Sequence, residues 1–203
     1  MENFIEVPAT VKALAQRRPI QGVGINDVSY STRRKVDGKS LQCPYYVTWK
    51  SMINRCYAGT NKAYLDCIVC DEWLTFSVFR EWMKSQNWQG MHLDKDALVE
   101  GNKVYSPETC VYIPSSLNLL LATGRSNTTG YPLGVTKAPS GRFLAKCRDG
   151  GSPKHVGLFD TPEEAHIAYC SFKGNLIKKA AQSYEHTNPK LYSALILRAD
   201  NLI

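Results

Sequence analysis

Between residues 142 and 172 the hydrophobic period of the chain changes from two to about three and a half, and few folds satisfy both halves at once. In RFLAKCR, Phe143, Ala145 and Cys147 alternate with Arg142, Leu144, Lys146 and Arg148. That is a strand with one buried face and one largely basic face. Further on, Ala165, Ala168, Tyr169 and Phe172 recur at i, i+3, i+4 and i+7, which predicts a helix. Its start is marked by Thr161 as N-cap, Pro162 at the first helical position and Glu164 as the partner of a capping box, worth about 1 kcal/mol. LGVTK and HVGLF supply two more short strands. A small sheet needs a cover for its apolar face, so three strands with one helix packed across them is the simplest solution.

Upstream the periodicity is helical. Tyr45, Trp49, Met52, Ile53 and Cys56 fall on one face of CPYYVTWKSMINRCY, and Phe76, Phe79 and Met83 predict a further helix in DEWLTFSVFREWMKSQ. The cluster TGRSNTTGYP reads as a linker. Residues 1–42 are polar and turn-rich, with RR at 17–18 and RRK at 33–35, and read as a basic arm that follows a phosphate backbone or is simply solvated. The end, KLYSALILRADNLI, predicts a final helix within 187–203 that docks on the protein's own sheet or forms a homodimer.

Residues 92–118, HLDKDALVEGNKVYSPETCVYIPSSLN, concentrate chemistry between turn signals. In the alternating run HLDKDAL, His92, Asp94 and Asp96 share a side. A loop with turns at Gly101-Asn102 and Ser106-Pro107 follows, then a second strand, CVYI, and a helix from Ser115 bearing Asn118. Mg2+ or Mn2+ needs only one or two protein ligands such as Asp94 and Asn118, keeping its other positions for water and phosphate.

The formal net charge of +7 favours an anionic partner. It is uneven: residues 1–123 carry fourteen Lys and Arg against twelve Asp and Glu, and residues 124–203 carry eleven against six. Seven cysteines without a secretory leader argue for thiols or metal ligands in a cytoplasmic protein, and no apolar run approaches the roughly 20 residues that cross a bilayer. Cys67 and Cys70 have ligand spacing, and Cys56 and Cys110 would complete a four-thiolate Zn2+ site, with Cys43 as a substitute and ordinary buried thiols as the alternative. Cys147 and Cys170 read as core.

Two resemblances follow from these residues. WKSMINRCY at 49–57, VCDEW at 69–73, LDKD at 93–96, GNKVYSPETC at 101–110 and Asn118 resemble phage-encoded proteins of the HNH, or ββα-metal, nuclease family. LGV at 133–135, GRFLAK at 141–146, GLFDTPEEA at 157–165 and Ala168-Tyr169 resemble the ethylene-response-factor (Apetala-type) DNA-binding domain.

The fold implied is α+β: an HNH-like ββα-metal module over 43–123, then a three-stranded antiparallel sheet packed against one helix over 130–182. The sheet would meet double-stranded DNA through Lys137, Arg142, Lys146, Arg148, Lys154 and His155, with Thr136 and Leu144 replacing arginines usual in that family. In active HNH members an acid on the first strand holds the metal and the next residue, a histidine, takes a proton from water. Here Asp94 matches the acid, but Lys95 stands at the histidine position. A lysine amine is protonated at neutral pH and cannot act as a base, although it can stabilise phosphate charge. His92 is the nearest substitute base. The resemblance therefore implies either a metal-dependent DNA-nicking enzyme, with Asp94 and Asn118 on the metal, or an inactive binder of nucleic acid or of a host protein.

Overall fold

The computed structural model describes residues 4–122, 130–149 and 152–202. In chain order its elements are α1 (Val11–Ala15), β1 (Arg33–Val36), β2 (Lys39–Gln42), α2 (Pro44–Tyr57), β3 (Ile68–Val69), α3 (Phe76–Lys84), β4 (Met91–Asp94), β5 (Val104–Tyr105), β6 (Val111–Pro114), α4 (Ser115–Leu121), β7 (Val135–Lys137), β8 (Phe143–Asp149), β9 (Ser152–Phe159), α5 (Pro162–Ala181) and α6 (Pro189–Asp200). The fold is α+β and forms two compact units, one of residues up to Gln89 with Gly101–Tyr112, the other of Gly90–Glu100 with the chain from Ile113 onward. The stretch 92–118 is thus shared between them. Of the expected linker, residues 123–129 lie outside the described residues.

In the first unit α2 buries Trp49, Met52, Ile53 and Cys56, the apolar face its spacing predicts. Trp49 donates its indole N–H to the Trp73 carbonyl at 2.7 Å, so a large buried aromatic keeps its one polar atom satisfied. The second predicted helix is present and buries Phe76, Phe79 and Met83, but it does not run through the whole stretch. A 3-10 turn covers Asp71–Leu74, Thr75 is extended (φ −94°, ψ 121°), and α3 starts at Phe76. Strand-like pairing causes the break: Ile25 donates to the Leu74 carbonyl at 2.7 Å, and Phe76 donates to the Ile25 carbonyl at 2.9 Å.

The N-terminal residues belong to this unit. Arg17 donates to the carbonyls of Asn26 (3.0 Å), Val28 and Tyr30 (2.8 Å). β1 and β2 form a hairpin in which Arg33 bonds the Ser40 hydroxyl at 2.8 Å. Its turn, Asp37-Gly38, takes positive φ at both residues (48° and 76°), the hairpin geometry these residue types favour. Within the same unit β5 pairs in parallel with β3.

In the second unit β7, β8 and β9 form an antiparallel sheet, as expected, and α5 covers one face. Val135, Ala145 and Cys147 from the sheet pack with Ala165 and Tyr169 from α5, and Cys170 packs half-buried against them. The capping box is present, with the Thr161 hydroxyl accepting from Glu164 N–H at 3.2 Å and the Glu164 carboxylate accepting from Thr161 N–H at 3.3 Å. α6 buries Leu191, Leu195 and Ala199 and packs along α5, so its apolar face lies against a helix of its own chain rather than the sheet. No helix among the described residues is long and apolar enough to cross a membrane.

Candidate functional site

β4 pairs with β6, and α4 follows β6 directly, so the strand, loop, strand and helix expected at 92–118 are present. Alternation along β4 buries Leu93 and leaves His92 exposed. Chain direction then changes at Asp94, because its Oδ1 accepts the backbone N–H groups of Asp96 (2.9 Å) and Ala97 (2.7 Å). This is an Asx-type turn, in which a short acid replaces a backbone acceptor. Burial, reinforced by the neighbouring Asp96 carboxyl to which it is hydrogen-bonded, pushes the Asp94 carboxyl up to about 6.

Lys95 is buried and pairs with Asp96 Oδ2 at 3.3 Å. His92 and Asn118 do come together, with Asn118 Nδ2 3.5 Å from His92 Nδ1. When the amide donates, Nδ1 is the accepting nitrogen and Nε2 carries the hydrogen. The nitrogen that would take a proton is thereby engaged, over a long contact.

Of the donors available to a divalent ion, Asp94 Oδ1 is already engaged by two amides, whereas the contact of Asn118 with His92 uses its NH2 and not the amide oxygen that binds a cation. Among the described residues no group of three or more His, Cys, Asp or Glu side chains is placed to hold a metal ion, so Cys56, Cys67, Cys70 and Cys110 do not converge on a four-ligand cage. Cys56, Cys67 and Cys110 are buried, and burial pushes the half-buried Cys70 thiol up to about 11. Cys43 is also buried, with Sγ 3.8 Å from the Tyr30 hydroxyl. CxxC spacing alone does not distinguish ligands from core thiols.

The open face of the β7–β9 sheet is the second candidate site, and register decides which side chains it carries. Thr136 pairs with Leu144 and Leu144 with Leu158, on the side opposite Ala145 and Cys147. A bulge between Ala145 and Lys146 then sets Lys146 opposite His155, leaving Val156 unpaired and packed against the core. Without it, Lys154 would oppose Arg148. With it, Lys154 opposes Cys147 and Lys137 opposes Phe143, so by alternation both belong to the α5 side, exposed at its margins. The outward cationic row is Lys146, Arg148 and His155, all exposed. Arg142 is tied down, its Nε donating to Asp160 Oδ1 at 2.9 Å and its Nη2 to the Leu158 carbonyl at 3.0 Å.

Sequence reasoning missed Lys173 and Arg198. Lys173 lies four residues after Tyr169 and four before Ile177, on the buried stripe of α5, and that spacing was the available signal. Its amine is held below the usual lysine range by burial and by Arg198, while Nζ donates to the Ala122 carbonyl at 3.3 Å. Comparison with protein-family models, with curated proteins and with solved structures gave no match.

Proposed function

We propose that the chain binds double-stranded DNA through the open face of the β7–β9 sheet, on an HNH-like frame whose ββα segment has lost efficient cutting. One observation carries this: Lys146, Arg148 and His155 stand in an exposed row on the face that α5 leaves uncovered. Each cation brought to a phosphate releases condensed counterions, which supplies affinity irrespective of sequence. The smaller number of arginines, with Thr136 and Leu144 outward, favours backbone contact over base reading. Loss of cutting is supported by Lys95 in an internal ion pair at the base position and by the turn role of Asp94.

Fluorescence anisotropy with a labelled duplex, combined with a supercoiled-plasmid assay in Mg2+ and in Mn2+, tests the reading. Salt-sensitive binding that the charge reversals Lys146→Glu and Arg148→Glu abolish, without nicking, is the expected result. Absence of duplex binding by the full chain overturns the binding claim. Nicking that disappears in Asp94→Ala overturns the loss of cutting and restores the nuclease.

A further inference from the structure

We infer that the solvent side of α2 forms a second DNA-backbone contact, an inference that rests on the DNA-binding reading above. α2 carries two stripes. Trp49, Met52, Ile53 and Cys56 are buried, whereas Lys50, Ser51, Asn54 and Arg55, on another face, line an open groove of about 570 Å³. Gln21, Gln42 and Asn61 complete its polar wall, and none of its described lining residues is acidic.

Two features indicate that this wall is built rather than merely solvated. Gln21 holds φ 51° beside Gly22 at 77°, a left-handed position that asparagine or glycine occupies more readily. Its longer side chain reaches Asn54, with Nε2 donating to Asn54 Oδ1 at 3.0 Å. The oxygen of Asn54 is thereby engaged, and its NH2 is the group left to donate. Arg55 is also held, by the Tyr105 hydroxyl at 3.5 Å and the Ser51 hydroxyl at 3.4 Å.

The groove therefore offers an ammonium, a guanidinium and several amide NH2 groups, and its ligand must be rich in acceptors and negatively charged. Phosphate oxygens accept from all of these donor types. A protein partner would call for aromatic anchors, and none lines the groove.

Two measurements on the full chain test this. The slope of log affinity for a labelled duplex against log salt is expected to flatten by about 0.9 in Lys50→Gln, the share of one phosphate contact. Duplex DNA is also expected to shield Lys50 from acetylation by acetic anhydride, read by mass spectrometry. The inference is overturned, with the sheet reading intact, if Lys146→Glu and Arg148→Glu weaken binding but Lys50→Gln and Lys50→Glu leave affinity and slope unchanged. Polyglutamate shielding Lys50 as fully as DNA does would overturn it in favour of an acidic polypeptide partner. If the wild-type chain fails to bind any duplex, both readings fall together.

Discussion

Arg198, on α6, donates through Nη2 to the carbonyl oxygen of Leu121 at 2.8 Å, the last residue of α4. Its Nη1 reaches the Asp96 carbonyl at 3.4 Å, its Nε the Glu100 carboxylate at 3.4 Å, and Lys173 serves the next carbonyl, Ala122, at 3.3 Å. The last carbonyls of a helix have no partners within it and carry partial negative charge, so two cations there satisfy both needs. α4 is thus fastened to the C-terminal helices of its own unit. Arg198→Met is expected to lose about 2 kcal/mol, because charged hydrogen bonds to buried carbonyls disappear together. Urea midpoints measure it, with the exposed Lys179→Met expected within about 0.5 kcal/mol of wild type.

Asp94 gives a pH dependence whose direction is fixed. Its carboxyl is raised to about 6 in the folded chain, chiefly by burial and then by Asp96, above the unfolded value of about 3.9. The folded state therefore holds more protons between those values. Its stabilising share is fully present below about pH 4 and lost as pH rises through about 6. Asp94→Asn keeps an oxygen for the two amides and removes the charge. The variant should match wild type near pH 4 and exceed it at pH 7.5 by on the order of 2 kcal/mol. Urea titrations across that range decide it, and an advantage that shrinks with rising pH refutes it.

Where periodicity and capping chemistry are strong, the chain is readable. The strand through Phe143, Ala145 and Cys147, the Thr161–Glu164 box and the buried stripe of α2 are local patterns, and the structure has them. What escaped reading depends on partners distant in sequence. Thr75 is pulled from a helix by pairing with Ile25, fifty residues upstream. Lys154 changes sides because a single bulge shifts the register. Cys67 and Cys70 have ligand spacing, but the positions of Cys56 and Cys110 depend on tertiary packing that spacing does not encode. In the candidate site, the approach of Asn118 to His92 and the turn role of Asp94 show only in contacts that spacing does not encode, the former at 3.5 Å and the latter in the bonds of Asp94 to Asp96 and Ala97.

The two arginines of β8 and its approach should differ in DNA binding. Arg142 is paired with Asp160, whereas Arg148 is exposed on the outward row. Bringing Arg142 to a phosphate would require leaving its carboxylate and the Leu158 carbonyl. Arg148→Ala is expected to reduce the salt slope by about 0.9 and Arg142→Ala by clearly less. Anisotropy titrations at several salt concentrations measure both, and equal slopes for the two variants contradict the assignment.

Gly134 is expected to be the least replaceable residue of the sheet. It takes φ +81°, a left-handed conformation that side chains rarely adopt, and a Cβ built on it would fall into the Tyr169 ring. Tyr169 is itself buried among Val135, Ala145, Cys147 and Ala165, so the ring cannot withdraw without opening the contact between sheet and α5. Gly134→Ala therefore combines backbone strain with overpacking and should cost about 3 kcal/mol or more. Tyr169→Ala in the Gly134→Ala background separates the two contributions. Removing the ring relieves the overlap but leaves the strain, so the pair should lose less than the sum of the single losses. Denaturant unfolding of the four proteins in this cycle measures it, and strict additivity would show that the ring and Gly134 are not in contact.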